Sequence, residues 1–326
     1  MTQTTSGVPA HDGAAVRPRV DPGRLGSTRT GLLIALGSAA TFALSGSMGT
    51  ALMSIGWSPA AAVGVRIGGA FLVLLIPCLL LLRRTGLPSR RQVGRLVAYG
   101  AIAVAGAQLC YFSAMQYLSV GVALLLEYTA PVILIGYHWA RNRRRPATMV
   151  FVGAAAAIAG LVLVLDPGQD AKISPVGLAW GLAAALCACG YFLLSEHDGT
   201  DAPVPPLLLV TAGTGIGGLL ILALGLTGLM PLHAATGDAT LGGFQVAWWL
   251  PMLVLVLVTA VVAYLLGIAG IRRLGSGVAS FVALTEVVFA VLFAVVLLGQ
   301  TMRPGQLVGG LLVLIGIAAV QRGDRR

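Results

Sequence analysis

Charge is what this chain has least of. Only 10% of its 326 residues are charged and 6% aromatic, against 57% hydrophobic, with a mean hydropathy of +0.92. A water-soluble globule of ordinary composition cannot hide that much apolar surface, so a soluble enzyme or binding domain is excluded. Lysine is reduced to Lys172 beside twenty arginines, the bias of a GC-rich, bacterial genome. The four cysteines, Cys78, Cys110, Cys187 and Cys189, all fall within apolar runs. They read as small buried residues, neither a disulfide framework nor a metal motif. The chain also lacks a Walker phosphate loop and any metal-ligand cluster, so neither a cofactor nor direct use of ATP within it is expected.

What the chain does have is long apolar runs, at roughly 31–53, 60–82, 96–117, 119–140, 147–166, 175–195, 205–228, 246–270, 276–298 and 304–321. Each suffices to cross about 30 Å of hydrocarbon as a helix. Barrel strands would instead alternate over about ten residues. The expected fold is an all-α integral membrane protein of ten transmembrane helices, numbered here as spans 1 to 10. Residues 1–30, rich in Pro, Gly, Ser and Thr, read as a disordered cytosolic tail rather than a cleaved signal peptide.

The net charge of +10 does not indicate nucleic acid, because its placement follows the membrane. Apart from Lys172, Arg303 and Arg66, every basic residue falls in the N-terminal tail, between spans 2 and 3, between spans 4 and 5, after span 8, or at the C-terminus. With ten spans, all of those lie on one face. The positive-inside rule makes that face cytosolic and puts both termini there.

The segment 118–164 recurs without a gap 156 residues later, at 274–320. Leu118, Gly121, Val122, Ala123, Thr129, Val132, Val152, Gly153, Gly160 and Val164 each meet an identical residue at that offset. Five spans per copy is an odd number, so the second copy must enter the membrane from the opposite side. The loops agree: Arg141, Arg143, Arg144 and Arg145 follow span 4, whereas the matching loop after span 9 keeps only Arg303. Two inverted five-helix repeats are therefore expected, 31–166 and 175–321, joined by an outer linker at 167–174 and followed by a short tail at 322–326. Inverted repeats supply two near-equivalent conformations, each open to one side.

Several segments also resemble a known family. Val65-Arg66-Ile67-Gly68-Gly69-Ala70, Ser119 to Ala123 with Pro131 downstream, Gly275 to Ala279 followed by Thr285-Glu286, and Leu297 to Gln300 leading into Gly309-Gly310 and Gly316 are similar to EamA-type members of the drug/metabolite transporter superfamily. The resemblance spans both repeats. It implies a multi-pass transporter of the bacterial plasma membrane with a small-molecule substrate. Two departures stand out: Glu286-Val287 where the family often has Glu-Pro, and Gly299-Gln300 where it often has Gly-Glu. The first is expected to straighten span 9, and the second removes a charge at the membrane edge.

Charged residues inside spans cost about 2.5–3.5 kcal/mol or more, and so need a partner, a cavity or a function. Arg66 stands about 10 Å and Glu127 about 12 Å below the outer surface, and Glu286 about 15 Å from the cytosolic edge, at 1.5 Å per residue. The matching depths of Arg66 and Glu127 allow an ion pair. One reading is a structural clamp, or an Arg that snorkels; the other is an anion site at Arg66 and a cation or proton site at Glu127. Glu286, near the midplane, reads as a proton-exchanging or a structural carboxyl. Under the offset Glu127 and Glu286 lie one helical turn apart in register, so both should face one central cavity.

Tyr111, Tyr264 and Gln108 join them as candidates for contact with an organic solute. So do the repeat-matched Thr129 and Thr285 beside the acids. Trp248 and Trp249 read as interface anchors. Pro131 and Pro251 are hinge candidates. Small residues four apart, such as Thr41, Ser45 and Gly49, Gly177 and Gly181, Ala156 and Gly160, and Gly305 and Gly309, read as helix-packing stripes.

The leading reading is a secondary transporter, working as an exporter by alternating access and coupled to protons. Its expected partners are a small metabolite, amino acid or drug-like solute and the lipid bilayer, with no nucleic acid. The oligomeric state is open and a monomer is compatible. The alternatives are a uniporter or exchanger, a non-transporting sensor, or an intramembrane enzyme, which would need a nucleophile and base at one depth. A fluorescent protein fused to the C-terminus should fluoresce in a bacterial host, and alkaline phosphatase at the same point should stay inactive. An active phosphatase fusion would reverse the orientation.

Overall fold

The computed structural model describes residues 22–118, 120–143, 145–165, 174–196, 204–228, 231–299 and 303–324. Nine helices among these residues are long and apolar enough to cross a membrane, and Thr285–Leu298 is a shorter apolar one. Trp249–Ala283 runs for 35 residues, too many for one crossing, and turns sharply at Gly275 (φ 80°, ψ 159°). Only a residue without a Cβ takes that conformation readily. Residues 276–283 therefore belong with Thr285–Leu298 in span 9, which gives ten crossings.

Local chemistry explains where helices begin. Ser58 accepts from Ala61 N–H at 3.2 Å with Pro59 behind it, and Pro175 and Pro206 likewise open spans 6 and 7. Span 3 starts earlier than its apolar run, at Arg90, because Ser89 and Gln92 form a capping box. The first helix begins at Pro22, inside the stretch expected as a tail; residues 1–21 and 166–173, the latter holding all of the expected 167–174 linker but Ser174, lie outside the described residues.

Three landmarks obey the 156-residue offset. Span 3 contains a π-helical stretch, Tyr99–Gly106, and span 8 contains another, Val254–Val262, one residue longer at its start. Beyond the first lie Ala107–Met115 and Val120–Glu127; beyond the second lies Ala263–Ala283, so the two hairpins match at both ends. Each hairpin then ends in a break, at Tyr128–Thr129 in span 4 and at Leu284 in span 9.

The breaks have a shared feature. Thr129 Oγ1 donates to Leu126 O at 2.6 Å and Thr285 Oγ1 to Val282 O at 2.7 Å, each drawing a carbonyl away from the regular ladder. Pro131 adds to the first break, since its ring displaces the carbonyl of Glu127. Val287 stands in the equivalent place in span 9, yet the break persists, so span 9 is not straightened. Pro251 sits in the first turn of its helix and costs that helix no hydrogen bond. The irregular element in span 8 is the π stretch that follows it.

Spans 5 and 10 cross antiparallel at backbone contact. A Cβ on Gly153 would fall 2.6 Å from Gly316 O, and one on Gly160 2.5 Å from Gly309 O; the reverse placements at Gly309 and Gly316 give 2.6 Å each. Because Gly153 matches Gly309 and Gly160 matches Gly316, each glycine touches the counterpart of the other. The contact spacing is seven residues rather than the four expected, and Gly305 meets nothing within 4 Å.

A short hairpin, β1 (Asp238–Leu241) and β2 (Phe244–Ala247), precedes span 8. Gly242 N–H at its tip bonds Leu297 O at 2.7 Å. The segment before it is pinned by Trp57 Nε1 to Ala235 O (2.6 Å) and Ser58 Oγ to Pro231 O (2.7 Å). Replacing Gly160 by Val should overpack the span 5–span 10 contact at a cost of about 1–3 kcal/mol. A thermal melt of the purified protein should drop by several degrees, while Gly136→Ala, which meets open space, should leave it unchanged.

Candidate functional site

The helix breaks and hairpins surround a cavity of about 770 Å³. Its wall runs through Gly49, Thr50 and Met53 of span 1, Pro59 of span 2, Leu165 of span 5, Val295 of span 9 and Gln306 of span 10. Those residues stand at the span ends opposite the arginine-rich face. Two contacts decide the shape. The hairpin Ala263–Ala283 packs on span 1 and also on spans 4 and 6, closing the arginine-rich end. Its counterpart, 107–127, packs on span 6, through Ala114, Leu118, Leu126 and Trp180 among others. Between that hairpin and spans 1 and 2 lies the cavity.

All three intramembrane charges face this space, with Gln108, Tyr111, Pro131 and Tyr264. Thr129, Thr285 and Pro251 do not line it; the threonines spend their hydroxyls on the breaks. Arg66 is not clamped to Glu127. Its Nη2 donates to Thr259 O at 2.7 Å, inside the π stretch of span 8. Its guanidinium carbon lies 5.5 Å from the ring centre of Phe42, a cation–π distance. Its Nε is buried without a hydrogen-bond partner. No ion pair within 4.0 Å joins Arg66 to either acid among the described residues. Arg66 and Glu286 nonetheless interact electrostatically, as do Glu286 and Glu127. A positive group thus shares the hollow with two carboxyls and keeps an unpartnered Nε.

Aromatic rings complete the wall. Phe42 meets Tyr264 edge to face at 4.9 Å, and Tyr191 of span 6 meets Tyr264 at 6.1 Å. Phe42 and Tyr191 were not expected: neither is charged, and neither has an aromatic counterpart at the repeat offset. Span 1 also differs from its reading as a packing stripe. Ser45, Gly46, Gly49 and Thr50 line the cavity, and Gly46 and Gly49 have nothing within 4 Å of a would-be Cβ. A run of small residues can signal space left for a ligand as well as close packing. Gly177 and Gly181, by contrast, do pack, against Leu118 and Leu126.

One Ser–His pair lies away from the cavity. His138 Nε2 and Ser276 Oγ are 2.8 Å apart, but the nearby carboxylate of Glu196 accepts from Ser276 N–H, at 3.2 Å. The carboxylate does not orient the imidazole, so the three do not form a nucleophile relay. Among the described residues no group of three or more His, Cys, Asp or Glu is placed to hold a metal ion.

The sequence matches the EamA-like transporter family model over residues 29–166 and again over 175–321. It is 23% identical to an uncharacterized inner membrane transporter, YicL, of Salmonella typhimurium over 244 residues, 74% of this chain and 77% of that one. It is 25% identical to the threonine/homoserine exporter RhtA of Escherichia coli K12 over 231 residues, 70% of each. A solved crystal structure superposes with a TM-score of 0.71 at 20% identity, covering 91% of this chain and 97% of that one. Two matches in tandem, each filling one five-span half, decide the assignment: the chain belongs to the EamA-like transporter family, within the drug/metabolite transporter superfamily.

Proposed function

We propose that this transporter exports a small zwitterionic metabolite of amino-acid size across the bacterial plasma membrane, by alternating access and in exchange for protons. One observation carries the reading: Arg66, Glu127 and Glu286 share a single cavity with an aromatic wall. A carboxylate suits the guanidinium and its unpartnered Nε. An ammonium suits Glu286 or Glu127, and Phe42, Tyr191 and Tyr264 suit the carbon skeleton. With both acids unoccupied by substrate, each can take a proton in its place. Export is the direction named for the threonine/homoserine relative.

The matched landmarks support alternating access through two inverted repeats. Each hairpin is bounded by a π stretch and a threonine-assisted break, irregularities at which a helix bends most readily. Swinging 107–127 toward spans 1 and 2 would close the outer mouth. Releasing 263–283 from span 1 would open the inner one. The antiparallel contact of spans 5 and 10 supports a pseudo-two-fold relation between the halves, since each repeat-matched glycine touches its mate's partner.

Purified protein in liposomes loaded with radiolabelled threonine should release it faster when the outside is made acidic, and a protonophore should cancel the gain. Glu286→Gln and Glu127→Gln should each lower this pH-driven flux by about tenfold or more, within the range for loss of a proton-transfer group; full activity in both variants would sink proton coupling. Arg66→Gln should raise the half-saturating threonine concentration by about tenfold, the equivalent of about 1.4 kcal/mol. It should leave competition by the decarboxylated amine unchanged; equal loss for both solutes would remove Arg66 from carboxylate recognition.

A further inference from the structure

Six span ends meet on the arginine-rich face, beyond the closed end of the cavity. The last turn of span 6 is gripped by two guanidiniums. Arg95 of span 3 donates to Leu194 O at 2.9 Å and to Glu196 O. Arg272, near the end of span 8, donates to Ser195 O at 3.4 Å and to Val204 O just before span 7. Cations belong there, because the terminal carbonyls of a helix have no intrahelical partner and carry its negative pole.

Held in this way, Glu196 reaches a third element. Gly275 ends span 8, so Ser276 opens the inner half of span 9, and its N–H is one that no helical carbonyl can satisfy. The Glu196 carboxylate accepts it at 3.2 Å, capping span 9 from span 6 at the helix's positive pole. His138, near the end of span 4, meets the Ser276 hydroxyl at 2.8 Å. Ser276 itself is fully buried. None of Arg95, His138, Glu196, Arg272 or Ser276 lines the cavity, so the group is not part of the binding site.

The repeat shows what the opposite face lacks. At the 156-residue offset the counterparts of Arg95, His138, Glu196, Arg272 and Ser276 are Pro251, Ala294, Ala40, Gln116 and Val120. None of these counterparts is charged, and Ala294 lines the cavity instead.

We infer that Glu196 is the positioning residue that latches the inner gate: by capping span 9 from span 6 it holds the hairpin Ala263–Ala283 closed, which favours the arrangement whose cavity opens on the opposite face. This rests on the alternating-access reading above. Removing the carboxylate does not touch the substrate site; it weakens one of the two closed states.

The test reads which side can reach the cavity. In full-length protein with the four native cysteines replaced, a single cysteine is placed at Thr50, on the outer wall, or at Ser280, on the wall formed by the inner hairpin. A membrane-impermeant maleimide is applied to right-side-out and inside-out vesicles. Glu196→Ala should raise labelling of Ser280→Cys from the cytosolic side roughly tenfold, the shift that about 1.4 kcal/mol produces, and lower labelling of Thr50→Cys from outside. Glu196→Gln keeps an acceptor for the Ser276 N–H and should fall between. Ser276→Ala removes only the hydroxyl that His138 meets, and should move labelling the same way by less, which keeps the test open if Glu196→Ala folds poorly. Unchanged labelling in the folded variants, or equal loss of labelling from both sides, overturns the latch. Threonine flux in the same vesicles separates the two readings: a labelling shift with no flux in the parent supports the latch and refutes threonine-class transport, whereas flux with no shift refutes the latch.

Discussion

An arginine and two glutamates at membrane depth impose the constraint on which the rest of this structure depends. Hydrocarbon offers no partner to a charge, so the three can persist only around a hollow that is polar where they stand. Every element that touches the cavity answers to that demand. Arg66 gives one N–H to a carbonyl of the span 8 π stretch and lays its charge over Phe42. Span 1 keeps Ser45, Gly46, Gly49 and Thr50 small along the wall. Spans 4 and 9 break where the acids sit, which places Glu127 at the end of one half-helix and Glu286 at the start of another.

The second theme is a duplicated skeleton with unequal decoration. The π stretches, hairpins and threonine-assisted breaks recur at one offset, so both halves have the same means of bending. Spans 5 and 10 provide a fixed reference, because glycines in backbone contact leave no room for side chains to rearrange. Against that symmetry, the charges are unequally placed. Arg66 belongs to the first repeat, and the Arg95–Glu196–Arg272 group fastens only the arginine-rich face. A symmetric machine would have no preferred side, and these residues are where the symmetry is broken.

Much of this was legible in the sequence, for reasons that particular residues explain. Spans are long apolar runs, and the membrane allows them one conformation, so their number was readable even where boundaries shifted. The charged lining was readable because cost singles out Arg66, Glu127 and Glu286. Phe42 and Tyr191 were not, since an aromatic ring is at home in any span and only the packing shows which ones face inward. Thr129 and Thr285 were chosen for being matched and polar, yet their hydroxyls serve the backbone. Pro131 marked a true break, but Val287 concealed its twin, and Glu196 lay in a loop whose meaning depended on which distant N–H it would find. Where a residue's role is set by a contact dozens of positions away or by its absence, pattern alone has no access to it.

The most direct test of the central claim is an experimental structure of the protein in a lipid environment with threonine bound. The account predicts density for one amino acid inside the cavity, its carboxylate on the Arg66 guanidinium and its ammonium toward Glu286 or Glu127, with Phe42, Tyr191 and Tyr264 around it. Threonine bound elsewhere, or Arg66 paired directly to a glutamate with the cavity collapsed around the pair, would contradict it.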